Sequence, residues 1–210
     1  MNKFPQYTKK NKGMTYVELI VVLSIFSVVT TVSLFNYKKF QQKVGVRNLA
    51  NDMALKFIEA QKNASFGRYP PSNKVPIVSP WKPSYGLFFK GGSQDVFPYV
   101  DLNSNKLYTG SLLSCNNECL GSAFRMPVTV ASITEVRFWY LNGTNTTLTG
   151  GNNTLHISYT RPDTGATFYY GSVTGATMLN NVDYAQITMT TPEGSMLRVR
   201  VAASGRVHIF

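Results

Sequence analysis

Glu18 is the one charged side chain among residues 14–37, inside the stretch KNKGMTYVELIVVLSIFSVVTTVSLFNYKKF (residues 10–40). A carboxylate near the end of a membrane-crossing segment costs a few kcal/mol unless it is partnered. Either Glu18 reaches interfacial headgroups, or another subunit supplies a cation that neutralises it. Other residues with chemical potential are sparse. Cys115 and Cys119, in SCNNECLG, are the only two cysteines, and two thiols without a nearby histidine cannot complete a tetrahedral zinc site. In an oxidising space they would form a local disulfide that pins a loop; free thiols are the alternative. Asp101, Asn103 and Asn105 alternate in DLNSNKLY as at the start of a calcium loop, but Lys106 and Leu112 stand where an EF-hand has its glycine and glutamate. A hairpin turn explains these residues more cheaply than a metal. Arg198, Arg200 and Arg206 could bind phosphate and hence nucleic acid without reading its sequence, or could simply be a solvated sheet face. His156 and His208 lie in strand-like runs with no cysteine or serine motif beside them. No glycine-rich phosphate loop, nucleophile elbow or metal-binding helix motif is present, so no catalytic residue, cofactor or metal is assigned and the chain is read as a non-enzyme.

The elements that must position these residues follow from length, charge and periodicity. With 210 residues there is room for one full core and a terminal segment. The net charge of +11 suggests nucleic acid until it is mapped. Lys3, Lys9, Lys10 and Lys12 precede the apolar run, and Lys38, Lys39, Lys43 and Arg47 follow it. From Arg68 onward only eleven Lys or Arg face seven Asp or Glu. Most of the basicity therefore flanks a membrane segment. Residues 19–35 carry no charge and, at about 1.5 Å rise each, span about 26 Å as a helix, enough to cross a bilayer core. No small-residue cleavage site follows that run, as a secretory signal would require. The lysine-bearing N-terminus is expected to stay in the cytoplasm, although the basic cluster after the run reduces the asymmetry behind that orientation.

The helical pattern continues past the apolar run. Val46, Leu49, Met53, Phe57, Ala60 and Ala64 recur at three- and four-residue spacing, and FGRYPPS supplies a stop. One helix from about residue 14 to 66 is predicted, with a transmembrane half over 14–36 and an amphipathic half over 37–67. A globular antiparallel β domain fills 68–210, which makes the fold class α+β. Its clearest strand signals are YGLFF, VFPYV, EVRFWYL, TLHISYTR, ATFYYGS, AQITMTT and MLRVRVA, while NGTNTTLTGGNN reads as an exposed loop and Pro98 favours an edge strand. The segment RVRVAASGRVHIF reads as a hairpin with Ala203, Ser204 and Gly205 in the loop. That register pairs Val201 with Val207, Arg200 with His208 and Val199 with Ile209. It puts Arg198, Arg200, Arg206 and His208 on the face away from the core, where no aromatic stacking platform is expected.

The order of basic leader, Gly13, hydrophobic Met14, Glu18 and apolar helix in KGMTYVELIVVLSI resembles the prepilin leader of type IV pilins and type II secretion pseudopilins. The resemblance implies that residues 1–13 are a leader. A membrane-embedded aspartyl prepilin peptidase would cut between Gly13 and Met14 and methylate the new Met14 amine. Glu18 would be the carboxylate at the fifth mature position, serving assembly by neutralising a neighbour's amine where water is scarce. Met14 replaces the commoner phenylalanine, and Phe35 stands where many members have a helix-kinking proline. LANDMALKFIEAQKNASFGR, PSYGLFF followed by YVDLNSNKLY, and ISYTRPDTGATF are similar to segments of the minor pseudopilins of the GspH/FimT group.

Membership of that group implies a long N-terminal helix packed on two antiparallel sheets. It implies a single pass through the inner membrane, with the globular domain outside the cytoplasmic membrane, and assembly into a pilus or pseudopilus. The implied partners are prepilin peptidase, other pilin or pseudopilin subunits, the inner-membrane assembly platform and the membrane itself. A minor structural subunit is the leading expectation. A DNA-binding minor pilin of a DNA-uptake pilus, using the basic C-terminal hairpin, and an abundant major pilin are the alternatives.

Overall fold

Thr15 opens the helix. Its Oγ1 accepts the Glu18 N–H at 3.3 Å and its carbonyl accepts the Leu19 N–H at 3.1 Å, which caps helix α1 (Tyr16–Ser65). Gly67 closes the other end with φ +61°, a left-handed conformation that glycine adopts without strain. The Gly67 N–H donates to Ala64 O and the Arg68 N–H to Asn63 O, both at 3.0 Å, satisfying carbonyls that the last turn leaves free. The helix thus begins two residues later than its apolar pattern and stops at the predicted glycine. These observations come from a computed structural model that describes residues 13–90, 93–109, 118–121, 123–127, 131–148, 154–172 and 175–210.

The chain divides into two compact units, residues 1–41 and 42–210. In the first, α1 is apolar on every side, and sixteen large apolar side chains between Tyr16 and Phe40 are exposed. The polar residues of this segment conceal their hydroxyls. Ser24 donates to Val21 O, Ser27 to Leu23 O, Thr30 to Phe26 O, Thr31 to Ser27 O and Ser33 to Val29 O, all within 2.8–2.9 Å. Every such donor is satisfied inside the helix, which an environment without water requires. By length and composition, α1 is able to cross a membrane near the N-terminus.

In the second unit α1 is amphipathic. Val46, Leu49, Met53, Phe57, Ala60 and Ala64, the residues of the predicted stripe, are buried together with Ala50 and Ala54. Strands β1 (Ser84–Lys90), β2 (Asp95–Val100), β3 (Phe124–Arg125), β6 (Thr154–Thr160), β7 (Asp163–Ser172) and β8 (Gly175–Leu179) form an antiparallel sheet in the order β3-β2-β1-β6-β7-β8. Strands β4 (Ser132–Tyr140), β5 (Asn145–Leu148), β9 (Val182–Thr190), β10 (Met196–Ala202) and β11 (Val207–Ile209) form a second, in the order β11-β10-β9-β4-β5. The α+β organisation and the two antiparallel sheets are therefore present. Alternation along the strands sends one set of side chains from each sheet into a shared core. Phe57 of α1 stacks on Phe89 of β1 at 5.8 Å, and Phe138 of β4 meets Phe168 of β7 edge-on at 6.1 Å, so rings tie the helix and both sheets together.

Three features differ from the sequence reading. The segment read as an exposed loop contains β5, and β3 and β8 carried no recognised strand signal. Pro98 is in the second strand of its sheet rather than at its edge. Its carbonyl accepts the Leu120 N–H at 2.8 Å, so its nitrogen faces the side away from β1, where β3 reaches only Asp95 and Val96. Pairing on that side continues only as the isolated Tyr99–Cys119 bridge, made through the Pro98 carbonyl and the Val100 N–H, so the missing N–H is tolerated there.

Candidate functional site

At the N-terminus, Gly13 and Met14 precede the first helical turn, Met14 is 59% exposed, and among the described residues beyond its chain neighbours no atom lies within 4 Å of the position a Cβ on Gly13 would take. Among those residues nothing covers the peptide between them, which is open in that sense. Glu18 is exposed at the third helical position after Thr15, so T-x-x-E is a capping pattern that the charge-centred reading overlooked. The cap uses the Glu18 backbone N–H and leaves its carboxylate available to other groups.

The Asp101, Asn103 and Asn105 series forms a self-bonded loop. Asp101 Oδ1 accepts the N–H groups of Asn103 and Asn105 at 3.2 Å, and its Oδ2 accepts that of Lys106 at 2.7 Å. Asn103 Oδ1 accepts from Asn105 N–H, and Asn105 Oδ1 from Leu107 N–H. Backbone donors account for the Asp101 carboxylate without a cation, and among the described residues no cluster of three or more His, Cys, Asp or Glu side chains gathers. Burial raises the Asp101 pKa, partly offset by the Lys106 N–H, while the Glu118 charge nearby adds to the rise.

This loop packs on the outer face of the six-stranded sheet, over a second apolar cluster of Phe88, Phe97, Tyr99, Tyr108 and Cys119. Three buried side chains fasten it. Tyr99 OH donates to Lys106 O at 2.9 Å, Glu118 Oε2 accepts the Thr109 N–H at 2.7 Å, and His156 Nδ1 accepts the Tyr108 N–H at 3.0 Å. His156 is 4% exposed, and burial pushes its pKa down from 6.5 to about 4, keeping the ring neutral. His156 thus has a structural role, one that could not be read from sequence because its partner is 48 residues away. Cys119 is disulfide-bonded; Cys115 lies outside the described residues.

The C-terminal hairpin has the register Val199↔Ile209, Arg200↔His208 and Val201↔Val207, with Gly205 at φ +85° closing a three-residue loop. Val199 and Val201 are fully buried, while Arg198, Arg206 and His208 are exposed. The outer face is not bare of aromatics, which corrects the expectation from sequence. Cross-strand pairing places Tyr184 beside Trp139, with rings stacked at 5.8 Å. The Arg200 guanidinium lies 4.6 Å from the Tyr184 ring and 4.5 Å from the Phe210 ring, and its Nε donates to Gln186 Oε1 at 3.0 Å. Trp139, Tyr184, Arg200 and Phe210 form a row of planar groups across four strands, with Arg198 and Arg206 at its margins. Trp139 and Tyr184 escaped notice because a single strand shows one aromatic at a time; only the pairing of β4 with β9 assembles them. No protein-family model, curated protein or solved structure matches the chain.

Proposed function

We propose that the chain is a membrane-anchored structural subunit of the pilin or pseudopilin type, processed between Gly13 and Met14 and assembled into a filament through α1. One observation carries this reading: the same helix that supplies a buried stripe to the β unit exposes sixteen large apolar side chains over residues 16–40. Burying each such side chain gains about 1.5–3 kcal/mol, so leaving the set in water forgoes tens of kcal/mol. Lipid before assembly and neighbouring helices after it provide the cover. The open Gly13–Met14 peptide and the exposed Glu18 carboxylate support cleavage at the junction and subsequent pairing of Glu18 with a neighbour's Met14 amine. The lysines ahead of the helix favour a cytoplasmic N-terminus in the inner membrane, with the β unit on the far side. Prepilin peptidase, an assembly platform and other pilin-like subunits are the corresponding partners, and a minor subunit is the favoured role.

Mass spectrometry of the membrane-extracted protein tests the processing step: a mature N-terminus other than methylated Met14 overturns it. Glu18→Gln tests assembly, because glutamine retains the capping pattern and removes the charge. Cleavage and folding should persist while incorporation into filaments fails. Counting copies in purified filaments separates a minor from a major subunit.

A second reading is favoured by the row containing Tyr184, Arg200 and Phe210. Half-exposed and exposed aromatic rings beside a cation suit single-stranded nucleic acid, through stacking and phosphate contacts. Binding should weaken with salt and fall further when Arg198 and Arg206 are replaced by glutamine. Salt-independent retention, or no effect of those replacements, removes this reading.

A further inference from the structure

Beyond Phe35 the apolar segment of α1 gives way to NYKKFQQKVGVR without a break in the helix. Lys38, Lys39, Lys43 and Arg47 are all exposed, and none forms an ion pair with a described residue. No acid stands between Glu18 and Asp52, so nothing along this stretch offsets the four charges. Lys39, Lys43 and Arg47 follow one another at four-residue spacing and so share a side of the helix. None of them belongs to the buried stripe, which begins at Val46. Tyr37, exposed and next to the lysine pair, is of a residue type that collects at the level of lipid headgroups.

Depth separates these cations from ordinary solvated ones, which contribute little singly. At about 1.5 Å rise per residue, Lys38 lies about 4.5 Å past Phe35, Lys43 about 12 Å and Arg47 about 18 Å. Each headgroup layer is about 5–7 Å deep, and helical side chains lean toward the N-terminus, here back toward the bilayer. Lys38 and Lys39 therefore stand within that layer, and Lys43 reaches it on its flexible stem. The Arg47 guanidinium stays within a Debye length of it, about 8 Å at physiological salt. A zwitterionic headgroup carries its own cation beside the phosphate, so only a net acidic surface leaves the attraction uncancelled.

We infer that Lys38, Lys39, Lys43 and Arg47 form a collar that binds the phosphodiester headgroups of acidic phospholipids, in the leaflet at the C-terminal end of the apolar segment. The inference rests on the reading of α1 as a membrane span. Each basic residue near such a surface strengthens attachment about fivefold. The collar thereby sets the depth at which α1 leaves the bilayer, and in the proposed assembly its lipid contacts are released when the subunit is drawn out.

Electron spin resonance of the full chain in phosphatidylcholine bilayers tests it, through the fraction of a trace spin-labelled lipid that the protein immobilises. At low salt, labelled phosphatidylglycerol should be preferred over labelled phosphatidylcholine by about twofold or more, since positions away from the collar dilute the selectivity of each cation. Exchanging Lys38, Lys39, Lys43 and Arg47 together for glutamine should lower that preference by about half or more. Exchanging the three lysines for arginine should preserve it, and Arg198→Gln with Arg206→Gln, in the β unit, should leave it unchanged. A preference untouched by the four glutamines belongs to other cations and overturns the collar, as does equal immobilisation of the two lipids. If neither lipid is immobilised, the membrane span itself is refuted and the collar with it.

Discussion

His156 makes the stability of the β unit depend on pH. Its Nδ1 accepts the Tyr108 N–H, which requires an unprotonated ring, and burial lowers its pKa from 6.5 to about 4. Between those two values the unfolded chain holds a proton that the folded chain lacks. Stability is therefore full above pH 6.5 and is lost as pH falls toward 4. The whole shift corresponds to ~3 kcal/mol, of which about 2 kcal/mol is lost between about pH 7 and about pH 4.5. Tyr99 meets the ring edge-on and Tyr169 pairs with His156 across β6 and β7, while Asp101 in the same loop, its pKa raised by burial, responds to acid with the opposite sign. His156→Asn isolates the imidazole, because an amide oxygen near the Nδ1 position accepts the Tyr108 N–H without titrating. Equilibrium urea unfolding of the full chain in micelles, followed by near-UV circular dichroism at both pH values, measures the difference. The variant should lose about 2 kcal/mol less than the wild type on acidification. Identical losses in the two proteins would show that His156 is protonated in the fold and that the loop is fastened without it.

Other consequences are local. Phe57→Ala removes the ring stacked on Phe89 in a core with little room to collapse, and should lower the unfolding free energy by about 3–5 kcal/mol in the same urea assay. Gly67→Ala forces a left-handed residue with a Cβ and should destabilise by about 1–2 kcal/mol in thermal denaturation; Arg161 can swing aside, so Arg161→Ala should not rescue it. Thr15→Ala removes the acceptor for the Glu18 N–H, and hydrogen exchange at that amide should accelerate by a factor consistent with about 1 kcal/mol, leaving the β unit unaffected.

The elements were legible where a pattern is local. The stripe from Val46 to Ala64 has helical period, and Leu197 to Val201 alternates apolar with basic, so their buried faces were visible in the residues themselves. The hairpin register followed from Gly205 and the loop length. What escaped depends on neighbours distant in sequence. β3 has two residues and exists only as a pairing with Asp95 and Val96, and β8, Gly-Ala-Thr-Met-Leu, is an edge strand without an alternating pattern and with no buried residue. The Asp101 series looked like half of a metal loop because carboxylates that take backbone N–H groups and carboxylates that take cations use the same residue types.

Glu18 is where a local requirement meets the one that the proposed assembly would impose. As the third helical residue it completes a capping pattern with Thr15, and a negative charge near a helix N-terminus gains about 0.3–1 kcal/mol from the helix dipole. Neither contribution calls for a carboxylate: glutamine serves the cap, and the dipole gain is smaller than the few kcal/mol required to hold a charge in an apolar environment. Exposed in an otherwise apolar helix, Glu18 therefore remains a net cost to the isolated chain once water is withdrawn. An opposite charge brought into the same dry surroundings reverses that balance, because attraction grows as the dielectric falls and an unpaired partner would be penalised equally. The cap fixes where the carboxylate stands; in the proposed filament, a cation from another chain would make its charge, rather than its shape, decisive.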